Sequence, residues 1–304
     1  MNTRPGGPRN NPTKNVHTVT ECLLARFSDA ETGRLKAYYV PRGPRGRREY
    51  DNPPSRVGRV LEYIRFCPQE HEDRWNAEVE NHLPAAFAAI DDGTILDHPG
   101  LVSVLKDCIA LHWARSAAYK QAHEERFRTV TEQQKRLWKQ NPPALAWAFY
   151  LRYRLYPAGM EALNHINDLL HEEPEVVTTG EWFAGQVDRY FDIARNRFAD
   201  ASLEVARTPA GRQFLIGDSP ALSIGNRDGQ VYTGVPLLEA GTLMLPIGPD
   251  HAIGLAKGDD KWIDLDDGHV TVLNAMQVNN AVAWVMYHPH SDMKAFVDEN
   301  RPAA

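Results

Sequence analysis

No apolar run in the chain approaches the roughly 18 residues that a membrane-spanning helix needs, so no membrane partner is expected. HExxH, GxxxxGK[ST], GxGxxG and paired CxxC patterns are missing as well. Their absence removes zincin proteases, P-loop nucleotide hydrolases, dinucleotide-dependent oxidoreductases and zinc ribbons. Ser219 follows Asp218 and precedes Pro220, outside any Gly-x-Ser-x-Gly elbow, so serine-hydrolase chemistry has no support. Cysteine is scarce: Cys22, Cys67 and Cys108 are odd in number and fit no metal-ligand spacing, which predicts reduced thiols and a cytoplasmic setting. The first fifteen residues, rich in Pro, Gly and Asn, carry no apolar core of a secretory signal and read as a disordered tail. No internal repeat occurs.

What is present is ordinary in bulk and uneven along the chain. With 42% hydrophobic and 24% charged residues, the 304-residue chain can bury a sizeable core. Its net charge of −6 hides an asymmetry. Up to Phe66 there are 13 Lys/Arg against 6 Asp/Glu, and beyond it 21 against 34. The basic excess peaks in PRGPRGRRE, where Arg42, Arg45, Arg47 and Arg48 stand among Pro and Gly. Clustered guanidinium groups attract phosphate, and a solvated loop without a partner is the competing reading.

Periodicity divides the rest into layers. Val19, Leu23, Leu24 and Phe27 predict a short helix, and Leu35–Val40 a strand. From about residue 55 to 207 the chain reads as helical. Trp75, Val79, Leu83, Phe87 and Ile90 form one apolar stripe ended by Asp-Asp-Gly. Pro99-Gly100 then opens a helix apolar almost all round, and further helices are expected at 132–140, 143–155, 159–171 and 180–205. From about 208 to 290, short apolar runs alternate with turn signals. They predict strands at 213–217, 221–224, 242–247, 252–256 and 269–273, followed by a closing helix through NAMQVNNAVAWVMYH. Helices followed by strands imply α+β: an N-terminal mainly helical layer, then an antiparallel sheet and closing helix, as a single domain over 16–304.

Polar residues on apolar faces carry the candidate chemistry. Cys108, His112 and Arg115, spaced four and three apart, share one face of the most apolar helix. A buried imidazole and guanidinium need partners, and Glu80, on the stripe helix, is the internal candidate in preference to Glu78. Asp218, in Phe214–Leu222 (FLIGDSPAL), sits where a strand runs into Gly-Asp-Ser-Pro. It either presents a carboxylate to a ligand or closes an ordinary Asx turn. Pro220 restricts Ser219 to an extended conformation and so sets the direction of its hydroxyl. His17 stands where the tail ends, and His288-Pro289-His290 could bind a metal, the competing reading being an inert exposed motif.

These pieces, in order, resemble the bacterial domain-of-unknown-function 4238 family. HTVTECLLARFSDAETG resembles its opening segment, placing His17, Leu23 and Phe27. NAEVENHLPAAFAAI resembles its Glu-bearing helix (Glu80), and IALHWARSAAYK the helix ending in a short Arg motif (Arg115). FLIGDSPAL resembles its Thr-Ser-Asp-Asn-Pro turn, placing Asp218 and Pro220, with Gly217 where a hydroxyl is usual and Ser219 where Asn is. LPIGPDHAIGLA resembles a strand pair, and LNAMQVNNAVAWVMY the closing helix with Asn279. The resemblance implies that His17, Glu80, Arg115 and Asp218 come to one place. The leading expectation is a hydrolase acting on a phosphate-containing substrate, such as a small molecule or RNA. His17 or His112 is its acid/base, Glu80 or Asp218 orients it, and Arg115 stabilises anionic charge. Arg42, Arg45, Arg47, Arg48, Ser219 and Asn279 are the candidate substrate contacts. A divalent metal held by His17, Glu80, His112 and Asp218 has suitable ligand types without a diagnostic spacing. The rival is a non-catalytic binding or regulatory protein with a structural polar network.

Overall fold

The computed structural model describes residues 18–40, 48–57, 69–156, 159–170 and 181–301. The expected tail, His17, Arg42, Arg45, Arg47 and Cys67 lie outside the described residues. In chain order the elements are α1 (Glu21–Ala25), β1 (Leu35–Tyr39), β2 (Arg48–Asn52), α2 (Gln69–Glu78), α3 (Leu83–Asp91), α4 (Pro99–Ala114), α5 (Ala117–Gln140), α6 (Pro142–Tyr153) and α7 (Gly159–Leu170). There follow α8 (Glu181–Arg197), β3 (Ser202–Arg207), β4 (Ile216–Gly217), β5 (Leu222–Arg227), β6 (Gln230–Thr233), β7 (Thr242–Pro246), β8 (His251–Ala256), β9 (Lys261–Asp264), α9 (Asp267–Asn280), β10 (Trp284–Tyr287) and α10 (Met293–Asn300). The protein is α+β.

Two compact units divide the chain, one formed by 1–119 with 180–304 and the other by 120–179. In the smaller unit, Leu145, Leu163 and Ile166 pack against Trp138, Ala146 and Phe149 to make a core of its own. In the larger unit α4 is the central element. Pro99 fits its first turn, where the missing N–H costs nothing. Val102, Leu105 and every residue from Cys108 to Ala114 are buried. The helix packs against α3, α8 and strands β3, β7 and β8.

The stripe through Trp75, Val79, Leu83, Phe87 and Ile90 is buried throughout, but it belongs to two helices. A 3-10 turn, Glu80–His82, separates α2 from α3. Pro84 explains the break, since its ring conflicts with the carbonyl of residue 80 in a continuous helix and it has no N–H to offer it. Glu80 therefore sits at a junction instead of a helix interior.

Two sheets form. One runs β2-β1-β10-β4 and is antiparallel; the other runs β6-β5-β7-β8-β3-β9, antiparallel except for the parallel β3–β9 edge. Several elements differ from expectation. The helix expected to reach Val205 ends at Arg197, and Ser202–Arg207 becomes β3 because Leu203 and Val205 alternate inward with Glu204 between them. The strand expected at 269–273 is the first part of α9. Asp266 caps that helix by accepting from the His269 amide. The closing helix stops at Asn280, and Trp-Val-Met-Tyr forms β10 between β1 and β4. Bulky residues that suit either state became a strand here because two strands flank them. The first sheet thus joins an N-terminal hairpin to the C-terminal end of the chain.

Candidate functional site

Four side chains from three separate segments meet beside α4. Thr20 stands at the N-cap of α1, yet its hydroxyl caps nothing locally. It donates instead to Glu80 Oε1 (3.0 Å), and its backbone N–H points at His112 Nε2 (3.2 Å). Arg115, at the C-terminal end of α4, donates through Nη1 to Glu80 Oε1 (2.6 Å) and through Nη2 to Thr20 Oγ1. His112 Nδ1 lies 2.8 Å from the Cys108 carbonyl oxygen. A carbonyl only accepts, so Nδ1 carries the proton and Nε2 is the acceptor. Thr20 Oγ1 at 3.0 Å and Arg115 Nη2 at 3.2 Å also face that single lone pair.

Burial sets the charge states. His112 is fully buried beside the Arg115 cation, and both effects disfavour imidazolium, bringing its pKa down to about 3. Burial alone would raise the Glu80 carboxyl, but the Arg115 guanidinium outweighs it and holds the group below its usual range. Burial drives the Cys22 thiol up to about 11 and the Cys108 thiol well above its ordinary value, so neither supplies a thiolate. The centre is a neutral histidine, a cation and a carboxylate, closed on one side and open at Glu80, whose side chain is 21% exposed.

A neutral buried histidine makes the fold sensitive to acid. The unfolded chain binds this proton near pH 6.5 and the folded chain only near pH 3, so stability falls as pH drops through that window. Glu80 adds its own loss only as pH falls from its ordinary value of 4.5 through its depressed folded one, leaving the upper part of the window to histidines. Stability from urea unfolding is expected to fall less steeply from pH 6.5 to 5 in His112→Leu than in the native chain, by up to about 1.4 kcal/mol per pH unit. An identical slope in the variant would mean that His112 is not the buried neutral group.

Asp218 is placed differently. It is fully buried, and its carboxylate accepts from the backbone amides of Val282 (2.8 Å), Ala283 (2.8 Å) and Trp284 (3.0 Å). Burial raises its pKa and the three amides oppose that rise. Asp218 therefore orders the loop between α9 and β10. Ser219 Oγ accepts from the Ala118 amide (2.9 Å), tying the same turn to the start of α5 just beyond Arg115. Asn279 is exposed on α9. Its neighbours on the inner face hold the strand instead. Asn274 accepts from the Leu215 amide and donates to the Gln213 carbonyl; Gln277 does the same for Gly217 N–H and the Pro220 carbonyl; Asn280 donates to the Ser219 carbonyl. Gly217 lets the helix come this close, since a Cβ there would lie 3.1 Å from the Gln277 carbonyl oxygen.

The sequence reading selected Glu80, His112 and Arg115, which meet. It missed Thr20, because a threonine before a helix is ordinary capping chemistry. It also missed Asn274, Gln277 and Asn280, although amides three apart in an otherwise apolar helix were a visible signal. Glu78 pairs outward with Arg74 (2.8 Å) and Arg195 (2.8 Å). Arg195 also takes Asp107 in a two-point contact, and Trp75 donates to Asp188 (2.6 Å), forming a charged seam between α8 and the helices α2 and α4. His290 meets Asp29 at 3.0 Å, and Arg48 is exposed on β2. Among the described residues no three His, Cys, Asp or Glu side chains are grouped to hold a metal ion. No described helix is long and apolar enough to cross a membrane. Two cavities, about 410 Å³ beside Lys106, Asp107 and Arg195 and about 490 Å³ beside Arg212, Asn274 and His290, are lined by none of the four cluster residues.

No curated protein and no solved structure matches this chain. One protein family does, described as a protein of unknown function (DUF4238), over residues 15–291. That span runs from the opening segment through the Glu80–Arg115 pair and the Asp218 turn to β10. The chain belongs to the DUF4238 family.

Proposed function

We propose that the protein is a hydrolase acting on a phosphate-containing substrate, with RNA as the preferred class and Glu80 as the reacting carboxylate. One observation carries this reading. Glu80 Oε1 is clamped by Arg115 and Thr20, whereas Oε2 makes no hydrogen bond among the described residues and the side chain reaches solvent. A carboxylate fixed by one oxygen and open at the other can align a water, or a ribose 2′-hydroxyl, for attack on phosphorus. Its depressed pKa keeps it ionised at neutral pH, so the acid limb of the rate should lie below the ordinary glutamate range. The same depression makes Glu80 a weak base, and the rate must come from position more than from basicity. Arg115 and His112, both buried, are positioning groups in this scheme. Proton delivery to the leaving oxygen falls to His17, which lies three residues before Thr20 in the sequence.

The test is hydrolysis of a labelled single-stranded RNA and of a chromogenic phosphodiester by the full chain. Glu80→Gln keeps an acceptor for Arg115 and is expected to lower kcat by about 100-fold or more, with the variant shown folded at the assay temperature. A native chain that cleaves neither substrate, or a variant as active as the native chain, ends the proposal. The second reading, a binding or regulatory protein, draws on the complete burial of His112 and the near-complete burial of Arg115. It expects stability loss in the Glu80 and Arg115 variants with no activity to lose.

A further inference from the structure

Strand alternation sorts the first sheet into two chemically distinct faces. Arg48, Tyr39 and Trp284 lie in one cross-strand row, with Tyr50 beside them in the next. Glu49 and Asp51 point to the opposite face, where Lys36 meets both (3.5 and 3.0 Å). The acids of β2 are thus drawn away from its arginine. The Arg48 guanidinium makes no ion pair or hydrogen bond among the described residues.

The aromatic side chains form a compact group. Tyr39 and Trp284 have ring centroids 4.8 Å apart at 50°, and Tyr50 approaches Trp284 edge-on at 6.0 Å. Ala37, between Tyr50 and Met286 in register, is small enough to let Tyr50 lean across β1. Tyr50 is 41% exposed, and Tyr39 and Trp284 are partly exposed. Tyr50, the most exposed of the three, turns ring surface to solvent, whereas Trp284 also packs against the main core. The platform is also held rigid, because Asp218 fixes the Trp284 amide and β1 is paired on both sides.

We propose that this face binds single-stranded nucleic acid, with bases stacking on Tyr50 and Trp284 and Arg48 meeting the phosphate backbone. Every base has a π-face, so a rigid aromatic sheet surface beside a free cation suits a single strand, whereas a duplex keeps its bases stacked inside. The inference deepens the hydrolase reading by naming the substrate's form, and it rests on that reading only for its catalytic consequence.

The experiment uses the full chain carrying Glu80→Gln, so that binding is read without turnover. Fluorescence anisotropy is followed with a labelled oligouridylate about 12 nucleotides long, within the span of known single-strand grooves, and with a duplex of equal length. The single strand is expected to bind at least about 10-fold more tightly than the duplex. Tyr50→Ala, at an exposed position on the edge strand and shown folded by its melting temperature, is expected to weaken binding roughly 5- to 100-fold. Arg48→Gln should reduce the dependence of log K on log salt by about 0.7. Failure to bind the single strand at low salt, equal affinity for the duplex, an unchanged Tyr50→Ala, or displacement by a neutral glucan oligomer overturns the proposal. Tight binding in the variant without cleavage by the native chain sinks the hydrolase reading and leaves this one standing.

Discussion

Replacing Arg115 with methionine is expected to destabilise the protein by about 3–5 kcal/mol, read from the urea unfolding midpoint. Methionine fills much of the arginine's volume, so most of that loss is electrostatic. The guanidinium is 3% exposed and bonds both Glu80 Oε1 and Thr20 Oγ1. Without it, Glu80 keeps its charge in a site where burial already pushes its pKa up, and the hydrogen-bond donor that offsets the burial is gone. The Glu80 carboxyl should then rise above its ordinary value, and its own contribution to stability should become greater in mild acid than at neutral pH. That reverses the native sign for this group, whose stabilisation is lost as pH falls. A double variant, Arg115→Met with Glu80→Gln, removes both charges and should regain a good part of the loss, so the two single effects will not add. A loss under 1 kcal/mol in the single variant would mean that the pair is weakly coupled. In that case the cluster would not hold α1, the Glu80 junction and α4 together.

How much of this was readable beforehand depends on the range of the interaction. His112 and Arg115 follow from helical spacing on an apolar face, and that face must be inward wherever the helix packs. Glu80 follows from the stripe it flanks, although the stripe does not show that Pro84 breaks the helix at that residue. Thr20 is invisible to such reasoning, because its partners lie 60, 92 and 95 residues away and its own context suggests a cap. The same limit explains the strand expected at 269–273. His269–Leu273 has apolar residues in alternation, and only the Asp266 cap and the backbone groups of residues 213–220 opposite decide for a helix. β10 is the converse case. Trp284–Tyr287 reads as the end of a helix until β1, some 250 residues earlier, supplies a ladder for it. The aromatic platform could not have been seen from either end alone.

Asp218→Ala is the other large expected effect, about 3–5 kcal/mol, because three backbone N–H groups lose their acceptor at once in a buried turn. Asparagine is not a neutral replacement. Its carbonyl oxygen can serve Ala283 and Trp284, but its amide nitrogen then meets the Val282 N–H donor to donor, so Asp218→Asn should lose roughly half as much. These variants separate two roles that sequence reasoning had merged. If Asp218 joined Glu80 at the reacting centre, either substitution would abolish hydrolysis even where the protein remains folded. Geometry gives Asp218 the α9–β10 loop and gives Glu80 the open oxygen. The expected outcome is therefore a split. Measured well below the variant's melting temperature, Asp218→Asn should retain cleavage of the small phosphodiester within about 10-fold of native. Its affinity for oligouridylate should fall with the displacement of Trp284, raising KM for RNA more than it lowers kcat. Equal loss on both substrates in a folded variant would return Asp218 to the catalytic group and require its carboxylate to turn away from the loop during reaction.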